Sequence, residues 1–365
     1  MTNKEQGGYD YLILIPTILL VGLGLVAIYS ASSFLAAQEL GDSYFYLKRQ
    51  AFFCLLGMCL VIMTKNIPVS LYSRFVYPLL GLSLLFLIAI FIPGLGKTVG
   101  GACRWLRLGG FSLQPSELAK LSLAIYIAYS MSRKGTNMSS FSKGLLPHLL
   151  IAGSFMALIL LQPDLGTTVI IGFWVIILLF VGGLSIFQLI SIALVSMPIV
   201  LWLIYHAEYR MKRWWAFLNP WDDPQGLGFQ IIHSFLAFGS GGIFGVGLGN
   251  SKQKLFYLPE PHTDFILSIL AEELGLAGIC IIVILFTVLI LRGLKISLDA
   301  PDLYSSYLTL AISLMIGLQV MINMGVVMGL LPTKGLTLPF LSYGGSSLLV
   351  NLTGIGILLS VSARK

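Results

Sequence analysis

Charge is scarce in this sequence: only 10% of its 365 residues are Asp, Glu, Lys or Arg, against about a quarter in an ordinary soluble domain. With 57% of the chain hydrophobic, that scarcity excludes a soluble enzyme and predicts an integral membrane protein with no nucleic-acid partner. Cysteine is rare as well. Of Cys54, Cys59, Cys103 and Cys280, three fall inside apolar runs and only Cys103 lies in a loop, which excludes a loop disulfide. His148, His206, His233 and His262 lack metal-ligand spacing with one another or with cysteine, so no structural metal is expected. A strongly basic leader and a small-residue cleavage site are also missing, and the first apolar segment therefore reads as a retained span. No soluble domain, low-complexity linker or internal repeat is evident.

What is present is a succession of apolar runs. Crossing the hydrocarbon takes roughly 20 apolar residues per helix. Candidate spans are 12–30, 50–63, 75–93, 118–131, 146–161, 168–181, 186–205, 265–291, 303–328 and 338–361. The second, fourth and sixth are short for a crossing. The fold class is thus an all-α polytopic membrane protein of about ten transmembrane helices, with both termini on one side. Its longest connection, residues 206–263, is a large loop between the seventh and eighth spans. Short-loop basic residues (Lys65, Arg74, Arg133, Lys134, Lys143, Arg292, Lys295, Arg364, Lys365), with Lys4, favour cytoplasmic termini. The other twelve of the 22 basic residues fall towards the opposite side. That surplus predicts an anionic partner, either lipid headgroups or substrate.

Several stretches carry polar groups an apolar chain would otherwise avoid. In the long loop, YRMKRWWAFLNPWDDP mixes cations with Trp214, Trp215 and Trp221, as an interfacial element does. GFQIIHSFLAF is apolar but too short to cross, which suggests a re-entrant or interfacial helix. GSGGIFGVGLGNSKQK offers glycine amides that could meet phosphate, with Lys252 and Lys254 directly after it; flexibility explains it about as well. In LPEPHTDFILSILAEELG, Pro259 and Pro261 hold an extended approach, Thr263 is a good N-cap and Asp264 falls in the first helical turn. Helix dipole and burial pull that carboxylate's pKa in opposite directions, leaving a poorly hydrated group suited to a general base; simple capping is the plainer alternative. Glu272 and Glu273, deeper in the same helix, read as structural ion-pair partners. Glu117 and Lys120 of QPSELAK share a helix face, Arg104 just before them has no evident partner, and Asp164 of QPDLGTT marks a break between spans. Lys334 precedes Gly344, Gly345, Ser346 and Ser347, which read as close helix packing.

Taken together, QPSELAK, QPDLGTT, the PWDDP…GFQIIHS…GSGG loop, LPEPHTDFI…AEELG and PFLSYGGSS resemble the SEDS proteins (shape, elongation, division, sporulation) of bacterial cell walls. The likeness covers nearly the whole chain as one integral membrane domain, 1–365, and its wording is closer to the division branch than to the elongation branch. It implies a peptidoglycan glycosyltransferase that polymerises lipid II at the outer face of the cytoplasmic membrane, with residues 206–263 extracytoplasmic. It implies a class B penicillin-binding protein as partner, alongside other division or elongation proteins. The family's essential aspartate falls on Asp264, its intramembrane acid–base pair on Glu117 and Lys120, and its QPD acid on Asp164. A long cytoplasmic tail found in some relatives is missing after Lys365.

The chemistry agrees with that likeness. A lipid-linked donor leaves as a pyrophosphate, which needs cations more than a general acid. The attacking sugar hydroxyl needs one base, and inversion needs no covalent intermediate. Asp264 is the expected base, and Arg104, Lys120, Lys252 and Lys254 are candidates to hold pyrophosphate. A divalent cation, magnesium or manganese, is chemically reasonable beside it. The rival readings are a lipid II flippase and a division scaffold without activity.

Overall fold

The computed structural model describes residues 10–99, 101–109, 111–226, 228–254 and 261–364. Expectations that rest on Lys4, Lys365 and Pro259 lie outside these residues. Each of the ten expected spans becomes a helix: α1 Tyr11–Leu40, α2 Phe45–Asn66, α4 Val76–Ala89, α5 Pro115–Lys134, α6 Leu146–Leu161, α7 Leu165–Val181, α8 Ile186–Tyr205, α11 Ile266–Leu298, α12 Leu303–Val327 and α13 Gly345–Ser362. Three further helices, α3 Val69–Arg74, α9 Glu208–Leu218 and α10 Phe229–Gly241, do not cross. Among the described residues, seven helices are long and apolar enough to span a membrane. The chain is a mostly helical, polytopic membrane protein.

The second and fourth spans are longer than their apolar runs because the helices continue through polar residues. Lys48, Arg49 and Gln50 lie inside α2, and Glu117 and Lys120 inside α5. Intramembrane charge is tolerated only when it faces protein or water, and α5 obeys that rule by being the most enclosed of the early helices. Its Glu117 and Lys120 are each 5% exposed. Both ends of the chain meet at one end of the bundle. Asp10, just before α1, pairs with Arg292 near the end of α11 at 2.9 Å and accepts a 2.6 Å hydrogen bond from Ser362 in the last turn of α13.

The helical reading needs one addition. Between α4 and α5 lies a three-stranded antiparallel sheet, β1 Gly96–Val99, β2 Ala102–Leu108 and β3 Phe111–Leu113. Gly101 (φ 77°) and Gly109 (φ 60°) supply the left-handed backbone its tight turns need. The sheet lifts Arg104 over the α6–α7 connection, a placement that a loop alone would not fix.

In the long loop, α9 presents Trp214 and Trp215 outwards, and Trp221 follows in a short 3-10 turn. The second apolar stretch forms a helix packed on the bundle. As α10 it docks on α11 and α12, where Ser234 Oγ meets Ser268 Oγ at 2.8 Å and donates to Val327 O at 2.6 Å. A Cβ at Gly241 would collide with Ala271 O, so glycine there permits the close approach.

Candidate active site

The glycine-rich turn has a different task from cradling phosphate. α11 is broken at Gly275 (φ 67°, ψ −169°), which frees backbone groups on both sides of the kink. Val246 N–H donates to Glu272 O at 3.0 Å and Gly247 N–H to Glu273 O at 3.1 Å. In return Leu276 N–H reaches Gly242 O at 2.9 Å and Ala277 N–H reaches Ile243 O at 3.0 Å. A broken helix in apolar surroundings must have its backbone satisfied by other protein, and the turn does that. The amides of Val246 and Gly247, at the centre of the turn, are thereby committed to the kink.

Lys254 is corrected for the same reason. Its ammonium donates to Glu273 Oε1 at 3.1 Å, Ser30 Oγ at 3.2 Å and Gly249 O at 2.6 Å. Those three bonds exhaust its donors, and nothing remains for pyrophosphate. Ser30 completes the network by donating to both Glu273 oxygens, at 2.6 and 2.8 Å. Glu272 takes the Ser251 hydroxyl and accepts Lys252 N–H at 3.1 Å and Gln253 N–H at 3.3 Å. Glu273 thus makes the ion pair expected of it, whereas Glu272 is held by a hydroxyl and backbone amides instead of a cation. The Lys252 side chain is exposed.

Asp264 stands in the turn ahead of α11, whose N-cap is Phe265. It therefore precedes the helix rather than lying in its first turn, and the N-cap position falls on Phe265 instead of Thr263. The side chain is half-buried and lies over the α12–α13 connection, where a Cβ on Gly335 would stand 2.9 Å from Asp264 Oδ2. Only glycine lets the connection pass this close. Its neighbour His262 is buried between Tyr46 and Tyr343, with ring centroids 4.3 and 5.6 Å away. Burial drives its pKa down to about 4, leaving a neutral ring.

Two amides on one face of α12 hold this arrangement. Asn323 Nδ2 donates to Asp264 O at 3.1 Å and Leu336 O at 2.5 Å, so it ties Asp264 to the connection. One turn earlier, Gln319 accepts from Lys120 Nζ at 3.4 Å and donates to Thr337 O at 3.4 Å. Lys120 also pairs with Glu117 at 2.8 Å. Glu117 Oε2 is buried without a hydrogen-bond partner among the described residues, which leaves an acceptor facing into the site.

The remaining residues enter from the other side. Asp164 caps α7 through Thr167 N–H at 3.0 Å and Thr167 Oγ1 at 2.8 Å. Arg104 from β2 lies 3.6 Å from Asp164 Oδ2 and donates to Pro163 O at 2.7 Å. Lys334, one residue from Gly335, bends over Gly166 and donates to Thr167 Oγ1 at 3.3 Å. Burial acts to raise the Asp164 pKa, but the charges of Lys334 and Arg104, with the Thr167 bonds, hold it below the usual carboxylate range. Lys334 shows the converse. As a residue it is half-buried, yet its ammonium is folded inwards, and burial drives its pKa down to about 7. Asp164 opposes that fall, while Lys120 and Arg104 add to it.

The structure thus links Arg104, Glu117, Lys120 and Asp164 to the 334–337 connection, with Asp264 against the same connection. It sets Lys252 and Lys254 apart. The sequence singled out Lys334 without a role at the site, and Thr167, Gln319 and Asn323 were not anticipated. Gln319 and Asn323 carried a usable signal, two amides four residues apart in an otherwise apolar span. Among the described residues, no three His, Cys, Asp or Glu side chains gather as a metal site.

Comparison with known proteins follows the whole chain rather than one motif. The profile of the FtsW, RodA and SpoVE family, described as a cell cycle protein, matches residues 10–365. The chain is 45% identical over 361 residues to a Geobacter metallireducens protein named probable peptidoglycan glycosyltransferase FtsW, covering 99% of this chain and 96% of that protein. It is 46% identical over 363 residues to stage V sporulation protein E of Bacillus subtilis, covering 99% of each. Among solved structures, a chain from a peptidoglycan synthase complex that coordinates polymerization and crosslinking aligns with TM-score 0.81 and 32% identity, over 97% of this chain and 98% of that one. The rod shape determining protein RodA of Thermus thermophilus aligns with TM-score 0.72 and 30% identity, over 97% of both.

Proposed function

The chain belongs to the FtsW, RodA and SpoVE family of cell cycle proteins, that is, to the SEDS family, and from that membership we propose that it is a peptidoglycan glycosyltransferase. Its substrate is the lipid-linked disaccharide lipid II, which it polymerises at the outer face of the cytoplasmic membrane. The end of the bundle carrying Asp264 and the 206–263 loop faces outwards, and both termini face the cytoplasm. The identities of 45% and 46% to division and sporulation relatives, against 30% to RodA, support a role in division-type wall synthesis. The likeness to a chain of a complex that both polymerises and crosslinks supports a penicillin-binding transpeptidase as partner.

One observation carries the reaction: a half-buried carboxylate, Asp264, and a group of cations share the short connection at Lys334 and Gly335. Asp264 takes the proton of the acceptor hydroxyl while its oxygen attacks the donor's anomeric carbon from the face opposite the pyrophosphate. The new glycosidic bond forms as the carbon–oxygen bond to pyrophosphate breaks, and the configuration inverts. The departing diphosphate carries its charge away on its own oxygens, so it needs stabilisation and not a proton. Arg104, Lys120 and Lys334 supply it, with Arg104 suited to two-pronged contact with phosphate oxygens. Three cations face two carboxylates here, Asp264 aside, and an incoming diphosphate corrects that excess. It also raises the Lys334 pKa from about 7 towards its ordinary range, so diphosphate binding carries proton uptake above neutral pH.

Asp264→Asn keeps the shape of the side chain and removes its basicity. Gel analysis of lipid II incubated with the purified variant, alone and with its transpeptidase partner, should show intact protein and no glycan ladder, a loss of about 10³-fold or more. A variant that polymerises at the normal rate sinks the base assignment. A wild-type protein that moves lipid II across vesicles but yields no polymer sinks the enzyme reading in favour of transport.

A further inference from the structure

At the other end of α12, a helix length of roughly 37 Å from the Asp264 end, α3, α5, the start of α12 and the end of α13 border an open polar cavity of about 280 Å³, with Arg133 and Arg364 exposed at it. That volume is near the lower end of small-molecule sites. Arg133 from α5 and Arg364 beyond α13 line it with Ser70 and Tyr304. The Arg133 guanidinium sits over the Tyr129 ring, 4.6 Å from its centroid, a cation-π contact that holds it at the cavity. Neither arginine pairs with a carboxylate among the described residues. One acid, Asp302, reaches the cavity, but both its oxygens are committed to Ser305, through N–H at 2.9 Å and Oγ at 2.7 Å. The Tyr304 hydroxyl is buried without a hydrogen-bond partner among the described residues. Two guanidinium groups and an orphaned hydroxyl against one carboxylate already engaged by Ser305 leave the cavity with a net positive charge.

We propose that this cavity binds the phosphate headgroup of an anionic phospholipid, which joins α3, α5, α12 and the end of α13. Guanidinium pairs match phosphate oxygens in geometry as well as charge, and basic pockets between membrane helices are recurrent headgroup sites. The surroundings favour a lipid over free phosphate, because Leu71, Phe75 and Leu303 beside the cavity are exposed apolar side chains, placed to meet acyl chains. Nothing in this site touches the residues assigned to glycosyl transfer, so it stands or falls independently of that assignment.

Native mass spectrometry of the full chain, released from micelles doped with phosphatidylglycerol or with phosphatidylcholine, tests it. Phosphatidylglycerol should remain bound and phosphatidylcholine should not. Arg133→Gln with Arg364→Gln should weaken the adduct at least tenfold, and Tyr304→Phe about threefold, while Arg107→Gln, an exposed cation elsewhere, should leave it unchanged. Arg364→Gln alone removes no core packing and gives a reading even where the double variant folds poorly. An adduct that survives in the arginine variants overturns the site. Millimolar inorganic phosphate that displaces the lipid and raises the melting temperature as much as the lipid does assigns the cavity to a free anion and overturns the lipid reading.

Discussion

Two buried acid–base networks flank the first segment of α11, and they differ in how fully their hydrogen-bonding capacity is filled. Around Glu273, every donor of Lys254 has a partner and both carboxylate oxygens accept. Around Lys334, Glu117 keeps an unfilled acceptor, cations outnumber acids once Asp264 is set aside, and burial has already lowered one lysine to about 7. The first arrangement is what a fold requires of charge taken out of water, since a buried pair is tolerable only when its remaining bonds are made. The second is incomplete, and an incomplete buried network persists where a ligand finishes it. Both hold lysines and glutamates at similar depth, so residue type does not tell them apart. Saturation does.

The sharpest way to break this contrast is through the saturated network. Glu273→Gln strands a buried ammonium, and removing one member of a buried pair costs about 3–5 kcal/mol. The variant should melt far below wild type in detergent, and any loss of polymerisation should track the loss of folded protein. Lys254→Met combined with Glu273→Leu removes both charges and should recover much of the stability. If Glu273→Gln instead melts normally and loses only activity, the two networks are not different in kind.

Lys334→Met makes the converse experiment. Here polymerisation should fall by about 10²–10³ while the protein stays folded. The pH dependence gives a second reading. The folded pKa of Lys334 is about 7 against an ordinary 10.5, so between those values unfolding takes up a proton. Wild-type stability therefore rises with pH through that window, and the burden of a buried ammonium is fully present below about 7. Thermal melts from pH 6 to pH 9 should show this rise in wild type and a flatter profile in Lys334→Met, with the variant the more stable at the acid end. Parallel profiles would place the lysine in a well-solvated position and remove it from the site.

Much of this fold is legible in sequence because apolar runs need no partner to be recognised: each of the ten runs corresponds to a helix, and several helices continue past them through polar residues. The sheet is less legible. Its strands are short and carry Lys97, Arg104 and Arg107, so alternation is weak, and only the glycines at its turns hint at it. Of the site, Asp264, Glu117, Lys120, Asp164 and Arg104 were nameable from local wording and family likeness, since each sits in a polar island. Lys334 stood out as a residue but not in its role, because that role comes from Thr167, 167 residues away. Lys254 misled for the same reason. Following a glycine-rich turn is a local fact, whereas its pairing with Glu273 and Ser30 arises from the kink at Gly275. Pairing across sequence distance is what sorts a structural cation from a functional one.

The smallest expected effect tests whether position in the loop matters at all once saturation is set aside. Lys252 adjoins the saturated network, and its amide bonds Glu272 at 3.1 Å, yet its side chain projects into solvent. The backbone bond survives substitution, and an exposed side chain without a buried partner changes stability by no more than about 0.5 kcal/mol. Lys252→Ala should therefore melt as wild type does and polymerise lipid II within about twofold of it at moderate ionic strength, where an exposed charge is screened beyond about 8–10 Å. A tenfold loss of polymerisation with unchanged melting would show that the 206–263 loop folds over the substrate during catalysis and brings this lysine to the diphosphate. The division between a filled structural network and an open catalytic one would then describe the resting enzyme alone.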